Sequence, residues 1–239
     1  VTASFEIYGL GHISALALIC FIAGGLILIC RKAQATQKQK SVVSVCKTVS
    51  ISLLVFACFA AYPLNQLAWR TVGGPYTLDA TYPFHLCDIA GFICGFALIT
   101  RKNLLCELAY FWGLAGTLQG LLTPNLQYDF PEAPFLSFFL LHGAIVITGL
   151  VLPLGLGWRP SSGAALRAFK WLLIYAVAVT GANIILKTNF GYLMNKPAEA
   201  SLLDVMGPWP WYILGYMALA GFLLFLLQLP FKIKSRNAV

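Results

Sequence analysis

The tract Tyr82-Pro83-Phe84-His85-Leu86-Cys87-Asp88 puts an imidazole, a thiol and a carboxylate at the mouth of an apolar run. A thiolate is intrinsically nucleophilic, and a nearby base lets it form a covalent intermediate, so these are the parts needed for nucleophilic catalysis. Ionisable groups within a membrane span are costly and mark function by default. No other seven-residue stretch of the chain concentrates as much chemistry. A helix amino terminus at this point favours a thiolate at Cys87, whereas apolar burial opposes it.

The elements that must position this tract follow from composition. The chain has 239 residues, of which 59% are hydrophobic and 10% charged, and its mean hydropathy is +0.80. A soluble domain carries roughly 25% charged residues. Several apolar runs reach the roughly 18–20 residues needed to cross hydrocarbon. The expected fold is all-α: a polytopic membrane helical bundle of seven spans, with residues 1–239 forming a single transmembrane domain. Of the seven cysteines, Cys20, Cys30, Cys58, Cys94 and Cys106 read as small apolar helix residues. No CxxC pair occurs, which argues against structural zinc and dithiol redox chemistry.

Hydropathy places the spans near 8–30, 42–62, 84–100, 103–122, 135–154, 165–186 and 211–229. Pro83 is expected in the first turn of the third span. Pro63, Pro153 and Pro230 are expected near span ends, where a missing N–H costs least. A tight Arg101-Lys102 turn should join spans three and four as an antiparallel hairpin. The first span follows Glu6 rather than a basic segment and reads as a retained helix, not a removed signal peptide.

Basic residues gather on alternate connections: Arg31, Lys32, Lys38, Lys40 and Lys47, then Arg101 and Lys102, then Arg159, Arg167 and Lys170, then Lys232, Lys234 and Arg236. Only Arg70, Lys187 and Lys196 fall on the other side. The positive-inside rule therefore puts the amino terminus outside and the carboxyl terminus in the cytoplasm. The net charge of +8 is thus a topology signal and not a nucleic-acid surface. The basic 31–47 stretch reads as a loop that touches lipid phosphates.

Counting about 1.5 Å of rise per residue, Cys87, Asp88, His142, Gln119, Asn183 and His12 share one depth beneath the outer surface. Asn189, Tyr192, Asn195 and Lys196 follow just beyond span six. His12 and Asn183 are expected as interhelical hydrogen-bonding groups. Trp209, Trp211 and Tyr212 are expected in an aromatic belt at the membrane interface. Gly91 and Gly95 should allow close helix packing. Glu107, on the cytoplasmic side, is expected to form an ion pair near Arg101 and Lys102.

Six segments together carry a resemblance. They are Pro83-Phe84-His85-Leu86-Cys87-Asp88, Glu107-Leu108-Ala109-Tyr110-Phe111-Trp112-Gly113, Leu122-Thr123-Pro124, His142-Gly143, Thr188-Asn189-Phe190-Gly191-Tyr192-Leu193-Met194 and Gly207-Pro208-Trp209-Pro210-Trp211-Tyr212. On these residues the chain resembles the YwaF-like bacterial integral membrane proteins, relatives of eukaryotic transmembrane protein 164, over nearly its whole length from span two onward. The resemblance implies a lipid acyltransferase or acyl-ester hydrolase in a bacterial plasma membrane. Its catalytic residues would be Cys87 as acyl carrier and His142 as general base and acid. In this reading His85 or Asp88 orients His142, and Asn189 or Lys196 stabilises the oxyanion or binds the lipid phosphate. Asn183, Tyr192 and Gln119 complete the expected substrate-binding set. The partner is a membrane phospholipid or lysophospholipid, with no nucleic acid, no cofactor and no metal.

Two other readings fit the same residues. His12, His85, His142 and Asp88 could hold zinc with an open water position in a lipid hydrolase. The amides and Lys196 could instead line the pocket of a transporter or small-molecule binder, although no internal repeat supports alternating access.

The topology yields the first prediction. In a cysteine-free background, Glu132→Cys on intact cells should react with a membrane-impermeant thiol reagent, and Lys38→Cys should react only after the membrane is opened. The opposite labelling pattern would invert the bundle.

Overall fold

In hydrocarbon each backbone N–H and C=O must be satisfied within the protein, so apolar runs of this length fold as helices. The computed structural model describes residues 4–35, 42–74, 77–197 and 202–236. Lys38, Lys40 and Glu199 lie outside the described residues. The helices are α1 (Leu10–Ala35), α2 (Val42–Thr71), the short α3 (Leu78–Thr81), α4 (Leu86–Thr100), α5 (Asn103–Trp112), α6 (Leu118–Leu122), α7 (Ala133–Leu154), α8 (Ala164–Leu186) and α9 (Trp211–Arg236). A π turn, Gly113–Thr117, joins α5 to α6 without a break, and short 3-10 turns cover Phe190–Tyr192 and Leu202–Met206.

Six helical segments are long and apolar enough to cross a membrane, the third of them counting α3 together with α4. The remaining expected span, 103–122, is the continuous run of α5, the π turn and α6, about 30 Å long at α-helical rise. The polytopic all-α bundle read from the sequence is therefore what forms.

The helix ends differ from expectation in three places. α2 continues to Thr71, nine residues past the expected end, with Pro63 inside it. Proline deprives one carbonyl of its partner, yet α2 is braced here from outside. The Tyr62 hydroxyl donates to the Thr81 carbonyl, and the Gln66 amide donates to the Ala80 carbonyl at 2.6 Å. Pro230 likewise sits within α9. Pro83 is not in a first helical turn, because α4 starts at Leu86 with His85 as its N-cap.

α7 is the axis of the bundle. Of its apolar stretch 78% is buried inside the protein, against 11–39% for the other spans. It is enclosed by α1, α2, α4 and α5 around a core that includes Cys58, Cys94, Leu141, Ile145 and Val151. Gly91 lets α4 approach closely, since a Cβ there would lie 3.1 Å from the Leu141 side chain and 3.5 Å from the Cys58 carbonyl oxygen. α8 and α9 pack against the opposite side of α5, around Phe111, Trp112, Leu172 and Leu224. Spans three and four do form the expected tight hairpin. Arg101 takes a left-handed conformation (φ 55°) and its N–H closes α4 on the Ala97 carbonyl at 3.0 Å, a C-terminal cap that usually uses glycine.

α1 packs on the core through Ala23 and Leu26 and is hydrogen-bonded to the rest of the bundle near its two ends. At one end the buried His12 accepts from the Tyr8 N–H at Nδ1 (3.0 Å), and its Nε2–H donates to the Leu121 carbonyl (2.8 Å). At the other, Arg31 Nε donates to the Leu154 carbonyl at 2.7 Å. Between them α1, α2 and α7 border an apolar groove of about 930 Å³, lined by residues such as Leu18, Ile22, Leu53 and Ala144.

Glu107 is fully buried and does form an ion pair, but not with Arg101 or Lys102. It receives Arg167 Nε on Oε2 (2.9 Å) and Nη2 on Oε1 (2.7 Å), together with Ser161 Oγ (2.7 Å) and Asn103 Nδ2 (3.1 Å). This clamp ties α5 to α8 and to the turn between α7 and α8. Its two partners differ in exposure, 42% for Arg167 and 0% for Glu107. Arg167→Ala should therefore be the more damaging change, costing about 3–5 kcal/mol by stranding a buried carboxylate. Glu107→Gln keeps the shape and leaves only a half-solvated guanidinium, at about 1–3 kcal/mol. Thermal unfolding in detergent checks the order, and a larger loss for Glu107→Gln would contradict it.

Candidate active site

A cavity of about 510 Å³ opens at the end of the bundle where α4, α7 and α9 begin and α2 and α6 finish. Its walls come from α2, α3, α4, the π turn, α6, α7, α9 and the 3-10 turn after α8, with one residue, Leu172, from α8. Asn65, Gln66, Gln119 and Asn125 line it near that end, whereas Trp112, Leu172, Leu219 and Leu223 line it further in. Trp112 is seven residues before Gln119 on one helical run, so the lining changes from polar to apolar over about 10 Å.

The start of α4 supplies three of the expected groups. His85 is the N-cap, Cys87 and Asp88 lie in the first turn, and all three line the cavity. Asp88 stands at the third helical position, and its carboxylate turns back to the His85 backbone N–H. That is half of a capping box. The Cys87 sulfur receives a hydrogen bond from the Thr117 hydroxyl on the π turn at 3.9 Å. His85 is held from both sides: the Gly191 N–H donates to Nδ1 at 3.4 Å, and the ring also meets the Asp79 backbone carbonyl.

His142 enters the same cavity from α7. Its Nδ1 lies 2.9 Å from the Phe138 carbonyl, and its ring stacks on Phe138 with centroids 3.9 Å apart. A carbonyl only accepts, so Nδ1 carries the proton and Nε2 keeps a lone pair. Nε2 packs over Gly120, where an added Cβ would come within 3.3 Å, and it has no hydrogen-bond partner among the described residues. Of the three histidines it alone presents an unused basic nitrogen. The orienting group expected from His85 or Asp88 is instead the Phe138 carbonyl, one helical turn back on α7 itself.

Of the expected site residues, the cavity unites Cys87, His85, Asp88, His142, Gln119 and Tyr192, and it leaves out Asn183, Asn189, Lys196 and His12. The Asn183 side chain holds the turn after α8 with three hydrogen bonds. Its Oδ1 accepts from the Phe190 N–H (2.8 Å) and the Thr188 hydroxyl (2.9 Å), and its Nδ2 donates to the Phe190 carbonyl (3.0 Å). Asn189 likewise accepts from the Met194 and Asn195 N–H groups and donates to the Asn195 carbonyl. Lys196 faces Asp204 at 3.8 Å and the Tyr212 ring. Tyr212 is buried with its hydroxyl on the Tyr192 carbonyl at 2.6 Å. It is thus a support of the cavity wall and not a belt residue, whereas Trp209 and Trp211 are exposed.

Sequence reasoning did not select Tyr62, Asn65, Gln66, Thr117 and Tyr216, all close to or lining this cavity. The adjacent amides of Asn65-Gln66 fell past the expected end of span two, and only the continued run Leu67-Ala68-Trp69 signals that the helix goes on. Thr117 is a lone hydroxyl in an apolar, glycine-containing run, and nothing in that run marks it. Among the described residues no Lys or Arg lines the cavity, whose lining includes two acids, Asp79 and Asp88.

A family model described as the TMEM164 family matches residues 7–228. No curated protein and no solved structure matches the chain.

The Asn183 cluster gives a structural prediction. Asn183→Ala leaves the Phe190 N–H and carbonyl buried without partners, which should cost about 3 kcal/mol. A fall in the unfolding temperature measures it, and an unchanged midpoint would show that the turn is held elsewhere.

Proposed function

The chain belongs to the TMEM164 family, and we propose that it is a membrane-embedded acyl-transfer enzyme working through a Cys87 thioester. The observation that carries this reading is the shared cavity: a thiol at a helix amino terminus and a histidine with an unused Nε2 lie in one pocket, polar at its mouth and apolar inside. An acyl chain fits the apolar part, and its ester then lies at the level of Cys87.

The steps balance on two residues. His142 Nε2 takes the proton of the Cys87 thiol, and the sulfur attacks the carbonyl carbon of a lipid ester. The carbon–oxygen bond breaks as the leaving alcohol takes the proton back from Nε2, and a thioester remains. An acceptor hydroxyl then gives its proton to Nε2 and attacks the thioester, and the departing sulfur takes that proton back, restoring the Cys87 thiol and the neutral imidazole. Water in the acceptor position makes the same sequence a hydrolysis. Asp88 supports the turn that carries Cys87, and Gln119 and Tyr192 are placed to contact the polar part of a lipid.

Since no Lys or Arg among the described residues lines the cavity, a lipid phosphate stays at the rim and the acceptor group that enters is neutral or ammonium-bearing. Arg31, the Arg101-Lys102 turn, Arg159 and Arg167 share the bundle end opposite the cavity. That favours a site near the outer leaflet of a bacterial plasma membrane, with the amino terminus outside.

The test is intact-protein mass spectrometry after incubation with phospholipid. The wild type should gain an acyl mass that neutral hydroxylamine removes, and Cys87→Ala should not. His142→Ala should lower turnover by about 10²–10⁴, the usual contribution of a general base. Lysolipids with zwitterionic headgroups should be better acceptors than those with net negative headgroups. Undiminished lipid turnover in Cys87→Ala would rule out the thioester and leave a binding pocket.

A further inference from the structure

The run from Asn103 to Leu122 changes from α to π geometry at Gly113–Thr117, where the Leu118 N–H reaches back to the Gly113 carbonyl, five residues away. A π turn inserts one residue, which rotates everything after it by about 100° relative to an unbroken α-helix. Such insertions recur at functional sites. The residue that ends this one is Thr117, whose exposure is only 1%.

A threonine inside an α-helix ordinarily donates to the carbonyl one turn back. Thr48, Thr81, Thr100 and Thr148 all do so, at 2.8–3.1 Å. Thr117 does not. Its hydroxyl crosses to α4 and donates to the Cys87 sulfur.

The chain also contains the opposite case. Cys58 lies 3.7 Å from the Thr148 hydroxyl. That hydroxyl has already given its only hydrogen to the Ala144 carbonyl, so the Cys58 thiol must be the donor and is held neutral. At Cys87 the threonine hydrogen points toward the sulfur. Hydrogen bonds donated to a sulfur favour its charged form, and the amino terminus of α4 acts in the same direction.

We infer that Thr117 is the positioning residue that stabilises the Cys87 thiolate, and that the π turn is the device that delivers its hydroxyl. The inference rests on Cys87 as the nucleophile of the reaction proposed above. It assigns the sequence Gly-Leu-Ala-Gly-Thr a role beyond packing: a Cβ added at Gly113 would lie 3.1 Å from the Ile145 side chain and one at Gly116 3.5 Å from Leu86, so the turn fits closely between α7 and the start of α4.

The test is the pH dependence of Cys87 alkylation by N-ethylmaleimide, followed by peptide-level mass spectrometry on the full chain in lipid nanodiscs. The exposed Cys46, beside Lys47 near the start of α2, reports on the reagent itself. Thr117→Val preserves shape and removes the donor. It should move the Cys87 profile to higher pH by about one unit, equivalent to about tenfold slower alkylation at a fixed pH below the midpoint. Thr117→Ser should restore the wild-type profile, and Cys46 should be unaffected by either change.

A Thr117→Val profile identical to wild type, or one matched by Thr117→Ser, would overturn the assignment. So would a wild-type Cys87 that stays unreactive throughout. The acyl-mass experiment separates this outcome from failure of the reaction itself. A shifted profile without acylation keeps Thr117 as the thiolate partner and removes only the acyl-transfer reading.

Discussion

Inside hydrocarbon there is no water to complete an unfinished hydrogen bond, so a polar side chain in a span either finds a protein partner or opens on a cavity. That constraint separates the polar residues of this chain by role. His12, Asn183, Asn189 and Glu107 have their bonds made within the protein, and each fastens one element to another. His142 is the contrasting case, with Nδ1 fixed on its own helix and Nε2 turned to the cavity. Chemistry is therefore assigned to the nitrogen that the fold leaves unused.

α7 makes this arrangement possible. It is buried along most of its length and separates the apolar groove beside α1 from the cavity beside α4. Phe139 and Gly143 face the first, and Phe138 and His142 the second. The direction of the His142 ring is set by packing on a helix that the rest of the bundle surrounds, which is a rigid base for the proton transfer proposed for it. Cys87 by contrast sits at a helix start, held by the Asp88 cap and by Thr117.

Much of the architecture was legible because hydropathy reports length and depth. The spans, the α4–α5 hairpin and the common level of Cys87, Asp88 and His142 all follow from counting residues. Facing does not follow from depth. Asn183 shares the level of His142, yet it turns to the loop after α8, because the Phe190 backbone offers both a donor and an acceptor there. The partner of Glu107 was hidden for a related reason: Arg101 and Lys102 are near in sequence, but Arg167 is what helix packing brings alongside. The end of α2 was misplaced because proline normally stops a helix. Here the side chains of Tyr62 and Gln66 bind α3 across it.

The two attachments of α1 have a mechanical meaning. His12 and Arg31 are nineteen positions apart in the chain, about 28 Å along a helix, close to the roughly 30 Å thickness of bilayer hydrocarbon. α1 is thus a strut hydrogen-bonded near both membrane surfaces, packed on the core through Ala23 and Leu26 and bordering the apolar groove in between. A helix pinned in this way has little freedom to tilt independently when the bilayer thins or thickens. Strain from a change in thickness falls instead on the groove that α1 shares with α2 and α7, which ties the shape of that groove to the thickness of the surrounding membrane.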